Sequence, residues 1–493
     1  MNSGAYIMVV LGILLAKGIG FLRDIVFASV FGATAYTDIY FQIFGLVTLI
    51  FTGIGVALST LVIKNLNKAD NNTFELQKKY VASFITKTTL AVLFFTGLLY
   101  LFARPVTKLL LPGLSEDLYG VSIKLMYIML PSFLFVIIAY IISGVLQNCR
   151  VFFISSIMSL PFNCIIIASL FVKDIDIITV GVVTTIGWFL HIVVQLPSFY
   201  KKGYRLFTTK PGFKNGSNLP SEVIWIFISN MMFQVCFLID KAFVSSESGA
   251  ATTINYASNL FVTIASVFVV ALSNVVYPSI SKNFEEGNTE YVKGLIQHMI
   301  TLMFLIFTPF ILTVCCYGKN IIRLLYERGE FTSNLTTTTA VLFAIYTLGV
   351  FGYVCQELFN KILYLDSKYS YTVIGTLVVI AIKPIVNIFL SDYGVIYVAA
   401  ATSVLFTLYA INIAVGMKKI IGKYFDKALL INLLKIFSAC GCALLVHITF
   451  KLFFPVFSEG KLMFLIPLCF CGAAYVFVLL ITGMVKSLIK KAD

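Results

Sequence analysis

The sequence predicts an all-α integral membrane protein of about fourteen transmembrane helices: two six-helix lobes related by a parallel internal repeat, plus two C-terminal helices. Three observations carry this. Of the 493 residues, 59% are hydrophobic and only 12% charged, and a spanning helix needs about 20 predominantly apolar residues, so the chain can supply fourteen spans with short connections. The excess of 36 Lys+Arg over 22 Asp+Glu falls in short loops between apolar runs, a positive-inside pattern rather than a nucleic-acid surface. Short motifs also recur in one order in both halves. An ordinary soluble domain, a disordered chain, collagen and a coiled coil are excluded.

Apolar runs bounded by charge or turn residues define the elements in order. The first covers 4–31; it lacks a preceding basic region and a small-residue cleavage site, so it reads as a retained span rather than a signal peptide. The second, 34–64, is long for one crossing and contains Gly45, Gly53 and Gly55, which predicts a bend or tilt. Runs 80–103, 118–147, 151–172 and 178–200 complete the first lobe. The longest basic connection, Lys201 to Lys214, marks the midpoint. Runs 220–245, 250–280, 292–317, 335–365, 369–390 and 394–417 form the second lobe, and 427–453 and 462–486 follow it. The expected division is 1–202 for the N-lobe, 203–219 for a cytoplasmic linker, 220–420 for the C-lobe and 421–493 for the last two helices.

Loop charge sets the orientation. Loops carrying Lys64, Lys78, Arg150, Lys201, Lys210, Lys423 and Lys490, with their neighbours, hold roughly twenty basic residues against eight in the alternate set. Both termini are therefore expected in the cytoplasm. The repeat pairs Phe21-Leu22-Arg23-Asp24 with Phe237-Leu238-Ile239-Asp240, Ala57-Leu58-Ser59 with Ala271-Leu272-Ser273, Leu130-Pro131 with Leu348-Gly349, and Arg150 with Lys368. Six spans return the chain to its starting side, so the halves run parallel about an axis along the membrane normal.

Charges inside spans are costly and mark candidate sites. Lys17, Arg23 and Asp24 lie in the first span and Asp38 at the start of the second. Lys17 and Asp24, seven apart, share a helix face, and the two cations suit a cavity for an anion. In the second half, Glu357 and Lys361 form an i,i+4 pair that can neutralise itself. Asp240, Lys383 and Asn387 are candidates for ion coupling or an internal salt bridge, with Lys383 paired to Asp240 across helices. Pro384 frees a carbonyl that the Lys383 ammonium could satisfy. His191, His298 and His447 read as packed or interfacial. The Cys lie mostly in apolar runs as small hydrophobes, and the C-x-C pairs lack nearby His, so neither a disulfide framework nor a metal site is expected. No nucleotide-binding loop, nucleophile elbow or catalytic domain is recognisable, so no cofactor and no enzyme activity are expected.

Gly20-Phe21-Leu22-Arg23-Asp24, Phe31-Gly32-Ala33 and Thr37-Asp38-Ile39-Tyr40-Phe41 resemble the N-terminal signature of the MurJ/MviN family of lipid II flippases. Ala271-Leu272-Ser273, Pro278-Ser279-Ile280-Ser281-Lys282 and Tyr326-Glu327-Arg328-Gly329-Glu330-Phe331-Thr332 resemble its second-half signatures. The resemblance implies the fourteen-helix fold of the multidrug/oligosaccharidyl-lipid/polysaccharide exporter superfamily, with two lobes around a V-shaped cavity and alternating access. It implies an essential arginine and aspartate at Arg23 and Asp38, and a lipid-tail groove formed by the last two helices. Some members bind sodium through an aspartate at the position of Asp240 and side chains around Lys383 and Asn387. The implied activity is flipping of undecaprenyl-pyrophosphate-linked lipid II across a bacterial plasma membrane for peptidoglycan synthesis. Substrate binding then falls to Lys17, Arg23, Asp24 and Asp38. Expected partners are the undecaprenyl-linked glycolipid, the bilayer and cell-wall synthesis proteins, with no nucleic acid; the driving force is left open among membrane potential, sodium and protons.

This chain departs from the family pattern at several positions. Lys17, Thr48, Leu49 and the Ser258-Asn259 region stand where arginines are usual, and Gly53-Ile54-Gly55 replaces an acidic-Gly-Ala motif. Lysine cannot reproduce the bidentate guanidinium fork, so the expected anion clamp is weaker. A flippase for another lipid-linked wall polysaccharide and a cation-coupled drug exporter of the same superfamily are the alternatives. A glycosyltransferase would have to use Glu327 or Glu330.

Overall fold

The computed structural model describes residues 3–68, 73–208, 221–366, 369–459 and 461–484. Among these residues the chain is helical, with no strand. The long helices are α1 (Ser3–Phe31), α2 (Ala35–Leu66), α3 (Phe74–Leu101), α4 (Glu116–Asn148), α5 (Phe152–Ser169), α6 (Ile177–Lys201) and α7 (Ile224–Asn230 with Met232–Phe243). They continue as α8 (Ala250–Glu285), α9 (Thr289–Leu325), α10 (Ser333–Leu348 with Val350–Leu365), α11 (Tyr369–Leu390), α12 (Val395–Ile421), α13 (Lys427–Phe453) and α14 (Leu465–Ile481). Ten are long and apolar enough to cross a bilayer, and α7 and α10 qualify as bent pairs. The apolar helices α1 and α14, of 29 and 17 residues, take the first and last expected places. Of the basic residues named for orientation, Lys210 and Lys490 lie outside the described residues, as does Lys368 of the repeat.

The irregularities have local causes. In α2, the glycine-containing Phe51–Gly55 forms a π-helical turn, with Gly53 against the Phe227 ring and Gly55 against Tyr140; an apolar span of this length accommodates a bulge where small residues let neighbours approach. Within α4 the regular helix stops at Met129 and resumes at Ser132, across Leu130-Pro131. The repeat partner of that dipeptide, Leu348-Gly349, is where α10 breaks by 53°. The 46° break of α7 at Met231 has no proline or glycine to announce it. Starts are better marked: Asp176 and Asp426 cap α6 and α13 by accepting from the Thr179 and Leu429 N–H groups at 2.8 and 2.7 Å.

The helices form two compact units, Met1–Asn255 and Tyr256–Asp493. In the first, α4 is the innermost element, with Val136, Ile141, Ile142 and Val145 fully buried. In the second, α13 and α14 pack on α9 through Tyr317, Ile436, Ala439, Ala443 and Phe464. Lipid tails compete equally for apolar surface, so such helices are joined by close packing and interhelical hydrogen bonds; Tyr475 accordingly donates to the Leu305 carbonyl at 2.8 Å. Phe389, Leu445 and Phe477 remain exposed on α11, α13 and α14, as lipid-facing positions do when the solvent is hydrocarbon. The expected linker 203–219 is described only from Gly203 to Thr208.

Candidate functional site

The helix-1 charges are set in an aromatic wall. Arg23 donates to Asp24 Oδ1 through Nε at 3.1 Å and Nη2 at 2.7 Å. The two side chains are only 13% and 8% accessible. The guanidinium lies over Phe44 of α2 and Phe162 of α5, 5.4 and 5.6 Å from their centroids, a cation–π arrangement that strengthens as water is removed. Trp188 packs 4.6 Å from Phe162 and His191 packs 4.9 Å from Trp188, extending the wall along α6. Two of the five guanidinium donors are thus held by Asp24, and the adjacent pair is nearly neutral from outside. Lys17 is half-buried two turns earlier, on the face of Asp24 and about 10 Å along the axis.

Asp38 is placed differently from Arg23 and Asp24. It is 2% exposed, and its carboxylate holds the start of α8: Oδ2 accepts from Gly249 N–H at 2.6 Å and Oδ1 from Thr252 N–H at 2.6 Å. The Thr252 hydroxyl lies 2.6 Å from Oδ1 and 2.8 Å from Thr37 Oγ1. The first N–H groups of a helix have no partners within it, and a carboxylate there also meets the positive end of the helix dipole. Gly249 takes φ +85° with the Ala33 carbonyl against it, so only glycine turns the chain tightly enough to present its N–H.

The same face of α2 continues as a polar seam. Lys241 of α7, 4% exposed, donates to the Phe41 carbonyl at 2.9 Å, with the carboxylates of Asp38 and Asp240 close enough to act on it. Gln42 donates to Leu110 O at 2.7 Å and Leu238 O at 3.1 Å. A side chain at Gly45 would collide with the Lys241 ammonium. Asp38, Phe41, Gln42 and Gly45 follow i, i+3, i+4, i+7, the spacing of one helix face. Lys241 stands beside Asp240 in the sequence, whereas Gln42, Gly249 and Thr252 carry no charge to mark them; the i+7 glycine is the available signal.

Among the second-half candidates, Asp240, Lys383 and Asn387 are fully buried. Lys383 Nζ donates to Asn387 Oδ1 at 2.7 Å and to the Val398 carbonyl of α12 at 2.9 Å. These residues do not fit a bound sodium ion, because an ammonium already engages those oxygens. Glu357 lies in a π-helical turn, Cys355–Phe359, and Lys361 donates to Ser273 Oγ at 3.3 Å. Glu327 pairs with Arg323 at 3.3 Å and accepts the Thr336 hydroxyl at 2.7 Å. Arg328 donates to the Leu324 and Leu325 carbonyls at 2.8 and 2.9 Å, and Gly329 takes φ +57°. The 326–332 motif is therefore built as the turn between α9 and α10.

Comparison with known proteins agrees with this arrangement. A model of the lipid II flippase MurJ family matches residues 27–470. A probable lipid II flippase of Buchnera aphidicola subsp. Acyrthosiphon pisum is 24% identical over 396 residues, covering 77% of this chain and 76% of that protein. The lipid II flippase of Burkholderia cenocepacia is 24% identical over 404 residues, covering 77% and 75%. Among solved structures, a lipid II flippase MurJ in an inward closed conformation superimposes with TM-score 0.82 at 23% identity, over 98% of this chain and 100% of that one. An inward-facing multidrug resistance transporter gives TM-score 0.61 at 14% identity, over 82% and 94%. With a family match spanning most of its length and the fourteen-helix fold in place, the chain belongs to the MurJ family of lipid II flippases.

Proposed function

We propose that this multi-pass membrane protein moves lipid II, an undecaprenyl-pyrophosphate-linked peptidoglycan precursor, from the cytoplasmic to the outer leaflet of a bacterial plasma membrane by alternating access, without covalent chemistry. The observation that carries the reading is the family match over residues 27–470. The Arg23 guanidinium, partly accessible and backed by Phe44 and Phe162, suits a pyrophosphate, which can compete with Asp24 for its fork of donors. The Asp38 contacts to Gly249 and Thr252 suit a latch made in one state and released in the other. A substrate biases such an alternation only by binding one state more tightly. In a strain depleted of its own lipid II flippase, expression of this chain should restore growth and clear lipid II from the inner leaflet. Failure to do so, with a different lipid-linked intermediate cleared instead, would redirect the substrate assignment.

One observation favours that second reading, a flippase for another lipid-linked wall polysaccharide. At a position where the family usually has arginine, Thr48 turns its hydroxyl back onto the Phe44 carbonyl at 2.9 Å, and Ser258 is a small buried hydroxyl. A drug exporter is disfavoured by α13 and α14, which such transporters usually lack.

Loop charge supports cytoplasmic termini. In a cysteine-free background, Lys202→Cys and Lys423→Cys should be shielded from an impermeant thiol reagent in intact cells, and Glu116→Cys and Ser248→Cys labelled; all four positions are exposed. Labelling of Lys202→Cys from outside would invert the orientation.

A further inference from the structure

We propose that Lys383 fills a monovalent-cation site with the protein's own ammonium, so that this chain works without a bound sodium ion. The residue is fully buried in α11, in the body of an apolar helix that spans the bilayer by length and composition, where an ionisable side chain is retained only with partners. Its Nζ sits 2.7 Å from Asn387 Oδ1 and 2.9 Å from the Val398 carbonyl. Both are neutral oxygens, one from the next turn of α11 and one from α12, and oxygens of amides and backbone carbonyls are the donors a hard cation takes. An ammonium presents one positive charge and three N–H donors to such oxygens. It joins α11 to α12 as a coordinated ion would, and it cannot dissociate. Alternation in this protein is then uncoupled from the sodium gradient.

The inference concerns ion use and is tested without substrate, so its failure is distinct from a failure of the flippase reading. The purified protein in detergent is heated in sodium chloride, ethylammonium chloride or choline chloride at equal ionic strength. The wild type should unfold at the same midpoint in all three. Lys383→Ala should unfold earlier in choline and recover by at least about 2 °C in sodium or ethylammonium, because a ligand that binds only the folded state raises its midpoint. Lys383→Asn, which is smaller than lysine and adds an amide oxygen, should show the same recovery with sodium. A sodium-specific rise in the wild type would overturn the proposal. So would folded Lys383→Ala and Lys383→Asn proteins indifferent to all three salts, and so would variants that neither sodium nor ethylammonium keeps folded, since an emptied cation site must refill.

Discussion

Arg23→Ala is expected to abolish complementation of a flippase-depleted strain, while Arg23→Lys retains only part of it. The guanidinium reaches Asp24 Oδ1 with two donors, at 3.1 and 2.7 Å, while facing the rings of Phe44 and Phe162. A lysine ammonium is a point charge and lacks that planar fork. Removing one partner of a buried pair leaves the other charge uncompensated, at about 3–5 kcal/mol. Arg23→Ala alone therefore confounds transport with stability. The double variant Arg23→Ala with Asp24→Asn separates them: it should insert and accumulate like wild type and still fail to transport. Recovery of growth by the double variant would reduce the pair to a packing device. Lys17→Arg, at a half-buried position on the same face as Asp24, should be tolerated.

Asp38→Ala should release the start of α8. Hydrogen bonds between membrane helices average about 0.6 kcal/mol and reach about 1.7, because the alternatives in a membrane are not unpaired either. The contacts of Asp38 belong at the upper end, since they are charge-assisted, at 2.6 Å, and serve N–H groups of Gly249 and Thr252 that a helix start leaves without internal acceptors. Losing them together should cost about 2–3 kcal/mol, on the order of 100-fold in the population of the latched state. The measurement is the rate at which Ala251→Cys, at a fully buried position at the start of α8, reacts with a thiol reagent, expected to rise at least about tenfold in Asp38→Ala, together with loss of complementation. Asp38→Asn should fall between, because its amide turns an N–H₂ toward a donor. Thr252→Ser should behave as wild type and Thr252→Ala should lose a smaller share. Wild-type growth and unchanged labelling in Asp38→Ala would remove the latch.

The candidate residues differ in how far the sequence could carry them. Arg23 and Asp24 were legible as charges in an apolar run; that they pair with each other is seen only in the structure. Asp38 was legible as a buried charge but not in its role. Its hydrogen-bond partners, 211 and 214 positions away, left no trace in the sequence around it. Lys383 was legible as a charge in an apolar span one turn from Asn387, while its contact with the Val398 carbonyl of α12 was not. Lys241, Gln42 and Gly45 form their seam only because α7 crosses α2, and two of the three carry no charge to draw notice.

By itself the sequence determined the elements: hydropathy runs that require helices in a bilayer, the order and approximate limits of the long helices, and the glycine-containing irregularity of α2. These follow from local composition, because in hydrocarbon each backbone group must be satisfied within its own helix. Partners of the buried polar groups were decided by tertiary structure alone: the carboxylate of Asp38 on the start of α8, Lys241 on Phe41, Lys383 between α11 and α12. Apolar helices carry almost no sequence record of which neighbour they meet, since lipid and protein solvate them equally well; only packing brings a particular carbonyl or N–H within reach of a buried charge.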